Sequence, residues 1–266
     1  MIISSQSNPA LRRIRKLRHR REREQSGLFY AEGIRIVAEA IQVGAVLDTL
    51  VVAPELLESA FARRLVDEGC AAGTPVLEVT KTVFASISDK DGPQGLGAVI
   101  RQRWDSPETA GQAPVQRWVA LSAVQDPGNL GTILRTSDAV GWAGVLLLGP
   151  TTDPYDPTCV RASMGAVLSQ RLVRMSVAEL AIWKSQYRHM VVGTSRAAAS
   201  DYRRVAYRDP LIVYMGSERQ GLSPDEQALC DLMVGIPMVG RADSLNLAVA
   251  TAVVLYEAFH QLGGHT

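Results

Sequence analysis

Five short apolar runs in the second half of the chain constrain its fold more than any other feature. They read "WVALSAV", "GVLLLG", "HMVVGT", "PLIVYMG" and "LMVGIP", and a segment long enough for a helix separates each run from the next. Apolar residues at successive positions, rather than at every second one, are typical of strands that are buried on both faces. We therefore predict a doubly wound α/β domain with a mostly parallel sheet.

The first half predicts a smaller α/β domain. An amphipathic helix over "NPALRRIRKLRHRRERE" is followed by a helix around "EGIRIVAEAIQVG", and the strands "LDTLVVAP", "PVLEVT" and "GLGAVIRQ" come later. Residues 105–116, "DSPETAGQAPVQ", contain two prolines, one glycine and a single large apolar residue, a composition typical of an exposed linker. The predicted boundaries are thus 1–104 for the first domain and 117–266 for the second.

Basic charge is concentrated at the N-terminus. The whole chain carries a formal net charge of only +1. Its first 25 residues, however, contain eight Arg and Lys against two Glu, a net charge of +6. Such a stretch is either a solvated helix face or a surface that contacts phosphates. The candidates for RNA contact in this stretch are Arg12, Arg13, Arg15, Lys16 and Arg18.

The sequence lacks the signature motifs of several classes of protein. The three cysteines are far apart and show no CxxC spacing, which argues against a disulfide framework and a zinc site, and we expect no metal. HExxH, GxSxG and GxGxxG patterns are absent, and no Lys-Ser/Thr follows the glycines of "GSERQG". No apolar run reaches the roughly 18 residues that span a bilayer. We expect a cytoplasmic protein with no membrane partner.

Three turn-like segments follow predicted strands. They are "DPGNLGTILRT" (126–136), "MGSERQGLS" (215–223) and "IPMVGRADSLNLAVA" (236–250). The carboxyl ends of parallel strands meet at one edge of the sheet, where ligands bind in open α/β folds. The three segments are therefore predicted to form one site.

In this order, the three segments resemble the signature motifs of the SpoU/TrmH branch of the SPOUT superfamily. These are RNA ribose 2′-O-methyltransferases that depend on S-adenosylmethionine, and the resemblance extends over most of 118–262. The opening "ISSQSNPALRRIRKL" and "FYAEGIRIVAEA" resemble the L30e-like substrate-binding domain that many of these enzymes carry. The resemblance implies a deep trefoil knot in the second domain.

The resemblance also implies a homodimer with its sites beside the subunit interface. The last predicted helix, "SLNLAVATAVVLYEAFHQL", is apolar nearly all round, so it must be covered on more than one side. The apolar residues that we expect at the dimer interface are Leu247, Val249, Val253, Val254 and Tyr256.

Matching the motifs residue by residue implies roles for particular side chains. The catalytic candidates are Asn129, Arg135, Glu218, Ser244 and Asn246. The candidates for binding the cofactor are Gly193, Thr194, Gly216, Ile236, Met238, Ser244, Leu245 and Asn246. Arg161, in the segment between the first two motifs, joins the candidates for RNA contact. Arg219 is a departure, because relatives commonly have glycine there.

Arg135 lies in a predicted helix over 130–140. The inward stripe of that helix comprises Leu130, Ile133, Leu134 and Ser137. Arg135 lies about 100° from Leu134 and off the stripe. Neutral guanidine is scarce in proteins, so we expect Arg135 to orient the target phosphate and to stabilise the developing alkoxide. The proton then leaves to a phosphate oxygen, to water or toward Glu218.

The resemblance thus implies transfer of a methyl group to a ribose 2′-hydroxyl of RNA. The accessory first domain favours 23S ribosomal RNA, since an extra recognition module suits a large folded target. A tRNA 2′-O-methyltransferase and a catalytically silent RNA-binding homologue are the alternatives. A base methyltransferase of another SPOUT branch is disfavoured by the NxxxxxR and SLN patterns.

Overall fold

The computed structural model describes residues 2–89 and 91–264, so residues 1, 90, 265 and 266 of the predicted domains lie outside the described residues. The chain divides into two compact units. Unit 1 contains residues up to Gln102 together with Tyr155–Leu168, and unit 2 contains Arg103–Pro154 together with the residues from Ser169 onward. A segment from between the first two motifs therefore groups with the N-terminal unit.

The helices and strands are numbered here in chain order. The helices are α1 (Pro9–Lys16), α2 (Arg20–Ser26), α3 (Ile34–Gln42), α4 (Ala60–Ala71), α5 (Lys81–Ala85), α6 (Pro107–Gly111), α7 (Pro127–Ala139), α8 (Pro157–Ala162), α9 (Ala166–Ser169), α10 (Val177–Tyr187), α11 (Pro224–Ala228) and α12 (Leu247–Gln261), and a short 3-10 helix spans Pro54–Leu56. The strands are β1 (Leu28–Glu32), β2 (Leu47–Val52), β3 (Val76–Glu78), β4 (Leu96–Arg101), β5 (Arg117–Ser122), β6 (Gly144–Leu148), β7 (Arg171–Met175), β8 (Met190–Thr194), β9 (Ser200–Asp201), β10 (Leu211–Met215) and β11 (Leu232–Gly235).

Unit 1 is built on a four-stranded mixed sheet in the order β1-β4-β2-β3. Strand β4 is antiparallel to both β1 and β2, whereas β2 and β3 are parallel. The three predicted strands of this unit are confirmed as β2, β3 and β4, while β1 was not predicted. The buried side chains of α1, Leu11 and Ile14, pack with Phe84 and Val99 in its core.

The single N-terminal helix expected from the sequence is wrong, because the chain breaks into α1 and α2 around Leu17. Arg23 explains the break. Its side chain is buried, and Nη1 donates to the carbonyl oxygens of Leu17 and Arg18 at 2.9 and 2.8 Å. A helix end leaves such carbonyls without partners inside the helix. The guanidinium of Arg23 therefore stabilises the turn between the two helices.

Unit 2 contains a seven-stranded sheet in the order β7-β6-β5-β10-β8-β11-β9. Every pairing within it is parallel. All five predicted strands are confirmed, as β5, β6, β8, β10 and β11. The two edge strands, β7 and β9, were not predicted. The strands β5, β10, β8 and β11 are neighbours, so their carboxyl ends at Ser122, Met215, Thr194 and Gly235 lie along one edge of the sheet.

The segment 105–116, expected to be an exposed linker, contains helix α6 and belongs to unit 2. Ala110 is fully buried, and the indole nitrogen of Trp183 donates to the carbonyl of Pro107 at 2.8 Å. Its prolines and polar residues therefore mark a helix start and a packed corner. Within the described residues, every helix is too short or too polar to cross a bilayer.

Part of the apolar surface of helix α12 is buried within the chain itself and is not left for a partner subunit. Val254 is fully buried within the chain, although the sequence placed it at a subunit interface. Val249 and Tyr256 remain 51% and 52% exposed. Because they are seven positions apart, they lie on one face of the helix. That face is the part of α12 left for a partner to cover.

Candidate active site

A cavity of about 940 Å³ opens at the carboxyl edge of the unit 2 sheet. Residues from all three predicted motifs line it, together with the residues that follow β8. The lining includes nine of the predicted site residues: Asn129, Thr194, Gly216, Glu218, Ile236, Met238, Ser244, Leu245 and Asn246. The three strand-end segments therefore meet at one cavity, and their roles as a functional site stay predictions.

A chain of hydrogen bonds joins the three motifs. The side-chain amide of Asn129 donates to Glu218 Oε1 at 3.2 Å, and its oxygen accepts from Asn246 Nδ2 at 2.9 Å. The carboxylate of Glu218 also accepts from the backbone nitrogens of Gln125 and Asp126, at 3.4 and 3.5 Å. These contacts fix the orientation of the Asn129 side-chain amide, with its nitrogen toward Glu218 and its oxygen toward Asn246.

Asn246 has a second role at the start of helix α12. Its side-chain oxygen accepts from the backbone nitrogens of Ala248 and Val249, at 2.9 and 3.3 Å. This is an N-cap, in which asparagine satisfies backbone donors that lack partners in the first turn of a helix. The start of this 15-residue helix therefore lies at the cavity wall, where its partial positive charge favours a negatively charged group.

The second motif forms a tight turn over 216–221. The backbones of Ser217 and Gly221 exchange hydrogen bonds at 3.2 and 3.0 Å. A Cβ on Gly216 would lie closer than 3.0 Å to the backbone of Gly221 and Leu222. Glycine is therefore required at position 216, because the turn closes directly against its α-carbon.

Residues 116–256 match the SpoU rRNA Methylase family. The chain belongs to this family. Residues 8–98 match the MRM3-like substrate binding domain. The family assignment drawn from the motifs is thus confirmed, and the N-terminal resemblance to a substrate-binding domain is supported.

Named relatives of the SpoU family cover nearly the whole chain. A 23S rRNA (uridine(2479)-2′-O)-methyltransferase of Streptomyces viridochromogenes is 31% identical over 94% of this chain and 89% of that protein. A 23S rRNA (guanosine(2553)-2′-O)-methyltransferase of Bacillus subtilis is 26% identical over 96% of this chain and 97% of that protein. The AdoMet-bound structure of an rRNA methyltransferase from Sinorhizobium meliloti is 36% identical, covers 98% of both chains and has a TM-score of 0.89.

Two predicted SpoU site residues do not line the cavity. Arg135 is exposed on α7 and makes no hydrogen bond or ion pair within the described residues, while Leu130, Ile133, Leu134 and Ser137 are fully buried as predicted. Gly193 lies behind the cavity wall, where a Cβ would press against the sulfur atoms of Cys230 and Met233. Glycine is therefore needed at position 193 because side chains pack closely against it beneath the site.

Sequence reasoning missed one arginine at the cavity, Arg196. Arg196 lines it and donates from Nη1 to the carbonyl oxygen of Asp243 at 2.8 Å, which ties the loop after β8 to the third motif. Arg196 follows a predicted strand by two residues, so the strand-end rule that found the motifs applies to it as well. Arg219 also lines the cavity, and its exposed side chain has no ion-pair partner among the described residues.

A buried carboxylate supports the strands beneath the site. Glu226 accepts hydrogen bonds from Ser122 at the end of β5 and from Tyr214 in β10, the latter at 2.9 Å. Its other oxygen accepts from the backbone nitrogen of Ser223 at 2.7 Å. Burial acts to raise the pKa of Glu226, but these hydrogen bonds outweigh it and hold the pKa below its ordinary value. Glu226 therefore holds together the strands that carry the first two motifs.

The N-terminal candidates for RNA contact differ in how far they are already paired. Arg13 and Arg18 form ion pairs with Asp48 and Asp89, at 3.2 and 2.7 Å. Arg15 donates to the carbonyl oxygen of Gln6 and to Ser86 Oγ, at 2.7 and 2.9 Å. The candidates with no side-chain partner within the described residues are Arg12, Lys16 and Arg161. Among residues 2–89 and 91–264, no group of His, Cys, Asp and Glu is arranged to hold a metal ion.

Proposed function

We propose that this protein transfers a methyl group from S-adenosylmethionine to a ribose 2′-hydroxyl of 23S ribosomal RNA. The observation that carries the proposal is the single cavity lined by residues of all three motifs and joined by the Asn129 hydrogen bonds. The names of the two curated relatives support the choice of RNA and of the 2′ position. Such a substrate implies that the protein acts in the cytoplasm.

The cavity has the features that S-adenosylmethionine requires. Apolar side chains of Ile236, Met238 and Leu245 offer surfaces for an adenine ring, and Gly216 lets the chain backbone approach the ligand closely. The carboxylates of Glu218 and Asp243 complement a positively charged ligand. When bound, the cofactor supplies a methyl group attached to a positively charged sulfur.

The residues of the first and third motifs position the ribose. Hydrogen bonds to Glu218 and Asn246 hold both ends of the Asn129 amide. Its orientation in the cavity is therefore fixed before the substrate binds, and no conformational entropy is lost at that step. The start of α12 favours the negative charge that develops on the 2′-oxygen as it loses its proton. Glu218, exposed and without a cation within the described residues, is one acceptor for that proton.

Arg135 contacts the RNA rather than the cofactor in this proposal. It is exposed and has no partner among the described residues, and it lies six residues beyond Asn129, about 9 Å along the helix axis. A planar guanidinium binds phosphate with two parallel hydrogen bonds. We assign to Arg135 the phosphate next to the target ribose, which sets the 2′-oxygen in line for attack.

The exposed face of α12 is proposed to pair with a second copy of the chain. Val249 and Tyr256 on that face continue to exposed Leu245 and Met238 at the cavity, so a dimer contact there would lie beside the site. Sedimentation at micromolar concentration should give a dimer, and Tyr256→Arg should give a monomer. A parent protein that sediments only as a monomer contradicts this assignment.

The activity is tested with purified protein, S-adenosylmethionine labelled in its methyl group and 23S rRNA from a strain that lacks the gene. We expect incorporation of label, located at one nucleotide whose 2′ position resists alkaline cleavage. Asn129→Ala should lose most of the transfer. Thr132→Ala is the matched control, because Thr132 is exposed one turn further along α7 and its hydroxyl donates to the carbonyl oxygen of Gly128, outside the hydrogen bonds that join the motifs.

Four results would contradict the proposal or one of its parts. No transfer to any RNA would indicate a binding protein that lacks the chemistry. Label in tRNA but not in 23S rRNA would give the substrate to the alternative class, and label on a base would refute the 2′ position. Equal loss in Asn129→Ala and Thr132→Ala would remove the special role of the hydrogen-bonded chain.

A further inference from the structure

The loop of the third motif, residues 237–245 between β11 and α12, is held in place by very few contacts. Every residue in it is exposed. Within residues 2–89 and 91–264, the one hydrogen bond made to this loop comes from Arg196, whose Nη1 donates to the carbonyl oxygen of Asp243 at 2.8 Å. Met238 and Leu245, two candidates for binding the cofactor, lie in the loop and line the cavity. Their position therefore depends on a single side chain.

The two ends of the third-motif loop are fixed independently of Arg196. At one end, the carbonyl oxygen of Gly235 accepts from the backbone nitrogen of Tyr202 at 3.1 Å. At the other end, Asn246 caps α12 and donates to Asn129. Loss of the hydrogen bond from Arg196 would thus free the loop and leave β11, the start of α12 and the bond between the two asparagines in place.

Arg196 itself projects from a turn that is packed firmly against the sheet. The backbone nitrogen of Ser195 donates to the carbonyl oxygen of Val234 in β11 at 3.0 Å. A Cβ on Gly235 would lie 3.1 Å from the carbonyl oxygen of Ser195, so the turn lies directly against the strand. A guanidinium that donates to a carbonyl oxygen forms a charge-assisted hydrogen bond, which is stronger than a bond between neutral groups. Arg196 therefore connects a well-fixed part of unit 2 to a loosely packed one.

We propose that Arg196 is a positioning residue, which acts on the cofactor by holding the third-motif loop in the conformation that accepts S-adenosylmethionine. The identity of the ligand rests on the proposed function. Without this hydrogen bond the exposed loop would gain conformational freedom, and the apparent affinity would fall with the fraction of molecules that keep the binding conformation. Turnover at saturating cofactor should be unaffected, because the bound cofactor orders the loop and the hydrogen bond between Asn129 and Asn246 does not involve Arg196.

The first test separates KM for S-adenosylmethionine from kcat in methyl transfer to 23S rRNA. Arg196→Ala should raise KM about tenfold, as expected for the loss of one charge-assisted hydrogen bond, and leave kcat within about twofold of the parent. Arg196→Lys should recover most of the loss, because an ammonium group can also donate to one carbonyl oxygen. Arg204→Ala is the matched control, since it removes the same charge from an exposed position outside the cavity, and it should behave like the parent. A fall in kcat with KM unchanged would overturn the proposal.

The second test distinguishes positioning from direct contact with the cofactor. The ligand 5′-methylthioadenosine keeps the adenosine and the sulfur of S-adenosylmethionine but lacks its carboxylate and its positive charge. Calorimetry should show that Arg196→Ala weakens the binding of both ligands about tenfold, because both require the ordered loop. A loss confined to S-adenosylmethionine would indicate that Arg196 contacts the carboxylate directly, and would overturn the proposal.

The third test requires neither a ligand nor activity. Arg241 is exposed in the third-motif loop, two residues before Asp243, so trypsin cleaves after it when the loop moves away from the cavity wall. The initial rate of this cleavage, followed by mass spectrometry on the full chain, should be about fivefold higher or more in Arg196→Ala than in the parent and in Arg204→Ala. Equal rates would overturn the proposal whatever the protein methylates. Faster cleavage in a protein that transfers no methyl group would instead refute the proposed function and support the role of Arg196 in holding the loop.

Discussion

Gly216→Ala is expected to weaken cofactor binding about 100-fold while the fold survives. The substitution adds one methyl group at a position where the backbone dihedral angles are open to any residue, so no strain arises from the backbone conformation itself. The difficulty is steric. The new Cβ would lie closer than 3.0 Å to the backbone of Gly221 and Leu222, which cannot rotate away as a side chain could.

The geometry gives the size of the effect. An ordinary contact to a Cβ begins near 3.4 Å, so the turn over 216–221 must open by about 1 Å to admit the methyl group. A shift of that size in a binding or catalytic element costs on the order of 100-fold, or about 2.7 kcal/mol. Because the turn lies at the end of β10 and not inside it, the sheet should be unaffected.

The measurement is the dissociation constant for S-adenosylmethionine, determined by calorimetry on parent and variant. Gly240→Ala is the matched control, because it lies in the third motif, has an unrestricted backbone conformation and would meet no atom within 4 Å of its Cβ. The control should bind like the parent. Thermal unfolding of all three proteins shows whether the folds are equally stable.

Cofactor binding by Gly216→Ala within a few fold of the parent would refute the reasoning. It would mean either that the turn opens freely or that the second motif is not a wall of the cofactor site. Equal losses in both variants would instead indicate that the third motif tolerates no added methyl group, which its open surroundings do not predict.

Three further predictions follow from single side chains. Arg135→Ala should bind S-adenosylmethionine like the parent but lose about 2 kcal/mol or more of transition-state stabilisation, and Arg135→Lys should recover little; near-parental turnover of either variant would contradict its role. Burial lowers the pKa of His189 to about 4 from an ordinary 6.5, so the unfolded chain binds a proton that the folded chain does not, and the free energy of unfolding should fall by up to about 1.4 kcal/mol per pH unit between pH 6.5 and 4. Urea titrations should show this slope in the parent and not in His189→Phe. Burial also raises the pKa of Cys230 to about 11, so iodoacetamide at pH 8 should modify the exposed Cys70 well before Cys230, as read by peptide mass spectrometry.

The parts of the fold that the sequence predicted are those with a strong local pattern. The five central strands of unit 2 are apolar at nearly every position, and each was located. The edge strand β7 was not, because Arg171 and Arg174 interrupt its apolar residues and its outer side has no neighbour in the sheet. Strand β9 has only two residues, which is too short for any periodicity to register.

The errors at the N-terminus have a different cause. Leu11, Ile14 and Leu17 follow helical spacing, and the basic residues that come next are good helix formers, so the pattern alone predicts one continuous helix. What ends α1 is the side chain of Arg23 reaching back to carbonyl oxygens five and six residues earlier. A buried arginine that acts as a helix cap leaves no mark in the periodicity.

The candidate site was predictable because it combines a rule of topology with a family pattern. Strand ends located the cavity, and nine of the matched residues line it. The pattern could not place Arg135, whose partner in the proposed mechanism is RNA, nor explain Gly193, whose small size is demanded by sulfur atoms behind it. The trefoil knot and the boundaries of the domains stay predictions.

The bond between Asn129 and Asn246 links positions 117 residues apart in the chain. During synthesis at roughly 5 to 20 residues per second, about 6 to 23 seconds pass between the appearance of the first asparagine and that of the second. Strands β5 and β6 can pair in that interval, but Asn129 has no partner on its oxygen and α12 does not yet exist. The cavity is therefore incomplete in a nascent chain until the segment that carries Asn246 and the start of α12 has been made.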